Sequence, residues 1–204
     1  MDIQIIKHFG PSIAKTKIPQ DIVNQLNSYI DKIIVDEQKT NKLNMGLELA
    51  GDVTQEFKLE REFMNKSGWL NFLANVTREW INSHSGEKIT KFEMIESWVV
   101  RQFKNEYNPI HWHGGHISGA GFLKLPQTFG SHVQDKRDKN YVGGTLNFIH
   151  GSKQFLSDSK FKVTPKVGDF YFFPHYLMHT VYPFKGTDEE RRSISFNANI
   201  DSKI

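Results

Sequence analysis

Two stretches decide the fold: GDFYFFPHYLMHTVYPF at residues 168–184 and RRSISFNANI at 191–200. In the first, Gly168-Asp169 reads as a turn feeding the apolar strand Phe170 to Phe173, and Pro174 ends that strand. His179 follows just beyond, flanked by Val181 and Pro183. In the second, side chains alternate across a strand, so Arg191, Ser193, Ser195 and Asn197 share one face and Arg192, Ile194 and Phe196 the other. The second of these faces looks like packing. A polar face that begins with Arg is odd inside a β-sandwich unless it meets a ligand.

Working outward, the runs FEMIESWVVRQF (92–103), SGAGFLKL (118–125), GGTLNFI (143–149) and KFKVTP (160–165) are also short, aromatic or β-branched, and punctuated by Gly and Pro. Their close spacing favours a sandwich or barrel over βαβ units. The first 90 residues read differently, as helices after a short leading strand. From Pro19 to about Val35, residues Ile22, Val23, Leu26, Ile30, Ile33 and Ile34 recur at three- and four-residue spacing. From Gly68 to about Asn82, residues Trp69, Leu70, Leu73, Val76, Trp80 and Ile81 do the same, and Gly86 is a plausible stop. The segment 41–66 shows no clear period, although Phe57, Leu59, Phe63 and Met64 suggest buried contacts. Helices followed by at least six strands predict a mainly β, α+β domain in which helices brace one face of a β-sandwich.

At 204 residues with no low-complexity linker, a single domain over 1–204 is expected, with helical support over about 1–90 and a β core over about 92–200. The 26 basic and 23 acidic residues interleave, as in 135–140 (DKRDKN), which reads as a solvated surface and not a nucleic-acid footprint. No apolar stretch reaches the roughly 18–20 residues of a membrane helix, and the opening MDIQIIKHFGPSIAK lacks the long apolar core of a secretion signal. The expectation is a cytoplasmic protein. The absence of cysteine excludes disulfides, thiolate metal ligands and cysteine nucleophiles, so any metal must use His, Asp or Glu.

Seven of the nine histidines lie between His111 and His179, which invites a metal reading. In the extended segment His111-Trp112-His113, residues i and i+2 project to the same side, so two imidazoles can reach one ion. A pair of ordinary strand histidines fits that pattern equally well. His179 adds a third candidate on a separate segment. Of the others, His132, His150 and His175 read as surface or hydrogen-bonded groups, and Phe170, Phe172, Phe173 and Trp98 as core. Asn147 and Tyr107 lie where they could touch a ligand, and the polar stretch Gln127 to Tyr141 reads as a solvated loop or a lid.

Taken together, HWH at 111–113, SGAGFLKLP at 118–126, GGTLNF at 143–148, GDFYFFPHYLMHTVYP at 168–183 and RRSISFN at 191–197 resemble the iron(II)- and 2-oxoglutarate-dependent dioxygenases. The likeness covers roughly residues 92–200 and is nearest to an uncharacterised bacterial and phage branch of that superfamily. It implies a double-stranded β-helix, the cupin-like jelly roll, with Fe(II) and 2-oxoglutarate as cofactors. It further implies molecular oxygen and a small-molecule or protein side-chain substrate, and a hydroxylase as the most common outcome. Carried over residue by residue, it makes His111 and His179 metal ligands, and gives Arg191 with Ser193 the far carboxylate of 2-oxoglutarate. A guanidinium suits that task because its planar fork meets a carboxylate with two charge-assisted hydrogen bonds. Arg192, on the packing face, would then serve as the control, and its replacement should leave the 2-oxoglutarate requirement nearly that of the wild type.

The sequence departs from the superfamily at His113, where a 2-His-1-carboxylate triad would have Asp or Glu. Three readings stand: a three-histidine site of His111, His113 and His179, a carboxylate reaching in from elsewhere, or His116 replacing one member through the Gly114-Gly115 turn. Three neutral imidazoles leave the metal at +2, which dianionic 2-oxoglutarate balances in formal charge; such a set also resembles a zinc site. Two other functions compete: a cupin-like three-histidine metalloenzyme that does not use 2-oxoglutarate, and a non-catalytic jelly roll that binds a metal or small molecule. Selectivity for substrate in such folds lies in loops and added helices, which here carry no motif.

Overall fold

The computed structural model of the protein describes residues 3–7, 10–46, 48–133 and 141–201. In chain order these form β1 (Ile3–Lys7), β2 (Ser12–Lys17), α1 (Gln20–Ile34), α2 (Glu37–Leu43), β3 (Gln55–Lys58), α3 (Arg61–Lys66), α4 (Trp69–Ser85), β4 (Phe92–Gln102), β5 (Asn108–His111), β6 (Ile117–Lys124), β7 (Leu146–Ile149), β8 (Lys160–Val163), β9 (Asp169–Pro174), β10 (Met178–Val181) and β11 (Arg191–Ile200). The strands make two antiparallel sheets, one of seven in the order β1-β2-β9-β6-β11-β4-β3 and one of four in the order β5-β10-β7-β8. From β4 to β11 the chain passes repeatedly between the two sheets, which is the winding of a jelly roll.

Each sheet face has its own chemistry. The outer face of the seven-stranded sheet presents Phe170, Phe172, Ile194, Phe196 and Ala198 to the helices, in one core with Ile22, Leu26, Ile30, Trp69, Leu73 and Trp80. Trp69 meets Phe170 edge-on at 5.4 Å, and the Trp69 and Trp80 indoles donate to Ser97 Oγ at 3.0 Å and Ser12 Oγ at 3.1 Å. On β6 this face is Gly119 and Gly121, because a Cβ at either would run into the ring of Phe170. The glycines of the SGAG run therefore let phenylalanines lie flat against the strand. A second, smaller core between the sheets joins Phe122, Phe148, Tyr171, Phe173 and Leu177.

The two long predicted helices are α1 and α4, and Gly86, with φ of 75°, ends α4 in the left-handed conformation that glycine tolerates. The N-terminal part is less purely helical than its periodicity suggests. β1 and β2 extend the large sheet beyond β9, and β3 closes its other edge against β4, so the first 90 residues supply three of its seven strands as well as its cover. Segments this short bury alternate and adjacent residues alike, as in β2, which erases the two-residue period. β5 and β10, four residues each, were legible only as extended stretches around histidines. Residues 134–140 of the Gln127–Tyr141 stretch lie outside the described residues; of its described part, Phe129 packs edge-on against Phe184 at 5.4 Å.

Candidate metal and cosubstrate site

The inner face of the large sheet carries the other alternating set. Register places Gln102 beside Arg191, Val100 beside Ser193, Trp98 beside Ser195 and Glu96 beside Asn197. All but Gln102 line a cavity of about 290 Å³ between the sheets, together with His111, His113 and His179. Arg191 and Arg192 therefore diverge as strand alternation requires.

His111 ends the edge strand β5 and lies directly opposite His179 on β10, so backbone pairing sets these two imidazoles side by side. Ring centroids are 4.3 Å apart. His113 follows two residues later, where its amide donates to the His175 carbonyl at 3.0 Å, and its ring lies 5.5 Å from Trp98. One ligand nitrogen from each of the three histidines lies within 4.8 Å of the others, and among the described residues no carboxylate oxygen joins that group.

Tautomers follow from the backbone. His111 Nδ1 donates to the Pro109 carbonyl at 2.8 Å and His179 Nδ1 to the Leu177 carbonyl at 2.9 Å, which leaves both Nε2 atoms with lone pairs. His113 Nε2 and His179 Nε2 are 3.0 Å apart. Cis ligands on an octahedral ion with bonds of about 2.1 Å would be separated by about 3.0 Å, so the spacing fits a shared metal. Burial pushes the His113 imidazole down to about 3, with His111 and His175 adding to the shift; it also depresses His111 and carries His179 well below the ordinary value. All three shifts favour the neutral imidazole, the form that metal ligation requires.

His116, the alternative third ligand, is not among the clustered histidines: its Nδ1 contacts the Ile200 backbone, the carbonyl at 2.9 Å and the amide at 3.1 Å, at the far end of β11. The Gly114-Gly115 turn, with Gly115 at φ of 85°, turns the chain away from the histidine cluster and into β6. Asn147 shares its row with Thr180, off the cavity, and its Nδ2 donates to Thr145; Tyr107 is held at the surface by a backbone bridge to Asp52.

Arg191 is fully buried at the other end of the cavity. Its Nε donates to the Gly144 carbonyl at 3.1 Å and one Nη to Ser193 Oγ at 3.1 Å, while the guanidinium carbon stands 5.2 Å from the Phe122 ring centre. Among the described residues no carboxylate pairs with it, and burial pulls its pKa down to about 9. A buried cation without an anion is costly unless a ligand supplies one.

Arg192 lies on the face turned to the helices, as expected, and does more there than pack. Equally buried, it bonds Glu190 at 2.7 Å, Asp31 at 2.7 Å and Asn27 at 3.1 Å, clamping α1 to β11. Its apolar neighbours concealed this, since Asp31 and Asn27 lie 161 and 165 residues away. Sequence reading also missed Glu56 and Glu96, which line the cavity and carry no motif.

No curated protein sequence matches the chain. Among solved structures it resembles a prolyl-4-hydroxylase from Pseudomonas putida (18% identity, TM-score 0.60, 91% of each chain). It also resembles the viral collagen prolyl hydroxylase of Paramecium bursaria Chlorella virus 1, solved with 2OG (17%, 0.53, 90% of this chain and 94% of that one). A third is HygX of Streptomyces hygroscopicus, solved with nickel, 2-oxoglutarate and hygromycin B (12%, 0.56, 90% and 81%). At these identities the likeness establishes the fold, a double-stranded β-helix. Membership rests on sequence: the profile of the family described as "Putative 2OG-Fe(II) oxygenase" matches residues 96–197. That span is half the chain and includes the three clustered histidines and Arg191, so the chain belongs to the 2OG-Fe(II) oxygenases.

Proposed function

We propose that His111, His113 and His179 hold the iron, that Arg191 with Ser193 binds the far carboxylate of 2-oxoglutarate, and that the enzyme hydroxylates a small molecule or a protein side chain. The chain would act as one domain over 1–204, in the cytoplasm. The observation that supports this best is Arg191: a buried guanidinium with only neutral partners among the described residues, in the cavity that the histidines line. It favours a cosubstrate with a carboxylate over a cupin-like three-histidine enzyme without one.

Bound iron supplies the redox chemistry that couples decarboxylation of 2-oxoglutarate to oxidation of a substrate by oxygen. The protein's share is placement. The carbonyls of Pro109 and Leu177 fix the His111 and His179 rings so that Nε2 faces the cavity. Gly144 and Ser193 hold the Arg191 fork open, so that binding needs little reorganisation. Phe122, Leu146 and Val181 line the same cavity and keep it apolar, which strengthens the charge pairing at Arg191.

Anaerobic iron titration tests the ligand set. His179→Ala is expected to weaken iron binding at least tenfold, the lower end of what loss even of a supporting group costs. Unchanged affinity in that variant would remove His179 from the site.

A further inference from the structure

Glu56 is left unexplained by iron and 2-oxoglutarate. It lies on β3, facing inward beside Val100, and lines the same cavity. The residue is 1% exposed, and neither carboxylate oxygen has a hydrogen-bond partner among the described residues. The Asn108 amide is near enough to favour the ionised form, yet it does not reach hydrogen-bonding geometry. Neither protonation state is therefore complete among the described residues: the carboxylate has at most the Asn108 amide beside it, and the neutral acid lacks an acceptor for its proton.

Charge points to what completes it. The formally charged side chains lining the cavity are Glu48, Glu56, Glu96 and Arg191. Iron and 2-oxoglutarate cancel over three neutral imidazoles, so three carboxylates face one guanidinium. Glu48 is exposed to water, and Glu96 accepts from Asn197 Nδ2 at 3.1 Å. Among the described residues, Glu56 is the one of the three that is buried without a hydrogen bond of full geometry. Two indoles, Trp98 and the 66% exposed Trp112, line the same space and offer faces that attract cations.

We propose that Glu56 anchors the substrate, and that the substrate class is one bearing a cationic nitrogen, an ammonium or guanidinium, which donates to this carboxylate inside the cavity. The inference rests on the reading of the histidines and Arg191 as iron and 2-oxoglutarate ligands.

The test is anaerobic calorimetry on the full chain loaded with Fe(II) and 2-oxoglutarate, using probe pairs matched in shape and differing in charge. Suitable pairs are methylguanidinium against N-methylurea, blocked arginine against blocked citrulline, and blocked lysine against blocked 6-hydroxynorleucine. In at least one pair the cationic member should bind at least tenfold more tightly, and Glu56→Gln should abolish that preference while keeping the wild-type affinities for iron and 2-oxoglutarate. Equal binding within every pair, or a preference that survives Glu56→Gln, overturns this proposal alone. Failure of the wild type to bind iron or 2-oxoglutarate overturns the reading of the site, and this proposal with it.

Discussion

Arg191 and Arg192 are adjacent on one strand and each 1% exposed, yet their surroundings are opposite. Arg192 has Glu190 and Asp31, whose hydrogen bonds and charges outweigh the cost of burial and raise its pKa. Arg191 has a carbonyl, a hydroxyl and a ring, and burial lowers it to about 9. Two carboxyls repeat the contrast. Burial works to raise Glu190, but Arg192 and Arg101 overcome it and hold the group at about 2; burial pushes Glu56 up to about 7. On the helix side of the sheet the fold satisfies its own charges, and on the cavity side it leaves a cation and an anion incomplete. A protein interior tolerates such groups poorly, so where they collect in one cavity, ligands are the economical explanation.

Arg192→Ala should show the largest effect, a loss of about 3 kcal/mol in unfolding free energy by denaturant titration, because it strands a buried carboxylate. The lower end of the usual range applies, since Glu190 keeps Arg101 and Lys124. The Glu190 contribution is present above its ordinary value of 4.5 and is lost as pH falls toward 2, so this difference between wild type and variant should shrink in acid. A constant difference from pH 6 down to pH 2.5 would break the assignment. Glu56 should titrate in the opposite sense. Its folded-state pKa lies above the ordinary 4.5, so stability falls as pH rises from about 4.5 through about 7, and Glu56→Gln should remove that slope, worth a few kcal/mol at most. Parallel pH profiles for wild type and variant would show that Glu56 is not strained.

Much of this contrast is legible in sequence because β11 alternates cleanly: the serines at 193 and 195 mark one face and Ile194 and Phe196 the other. The histidine set is legible through a different regularity, the i, i+2 spacing of His111 and His113, although the strands that hold His111 and His179 are only four residues long and have no period to read. Glu56 gives no such signal. It is a lone acid in an aperiodic stretch, and it matters only because β3 pairs with β4 and turns it inward beside Val100. The partners of Arg192 are hidden in the same way, since they come from α1, far along the chain. Alternation reveals which way a side chain points and nothing of what awaits it.

Smaller effects sharpen the picture of the histidines. His113→Ala should lose about tenfold in iron affinity by anaerobic titration, roughly 1.4 kcal/mol, whereas His113→Asp should bind within a few-fold of wild type because it restores a ligand of the usual triad. Retention of full affinity in His113→Ala would leave a two-histidine site. The smallest change is expected in the thermal stability of Arg191→Ala: removing a buried cation that lacks an anion should leave the unfolding midpoint unchanged or slightly higher, and a drop comparable to that of Arg192→Ala would mean that Arg191 is structural.

The central claim, that Arg191 is kept for a ligand while its neighbour is kept for the fold, is tested most directly by titrating 2-oxoglutarate anaerobically into iron-loaded wild type, Arg191→Ala and Arg192→Ala below the unfolding midpoint of each. Arg191→Ala should bind 2-oxoglutarate about a hundredfold more weakly or worse, about 2.7 kcal/mol, and Arg192→Ala within a few-fold of wild type. Exchanged phenotypes, or equal losses in the two variants, would contradict it.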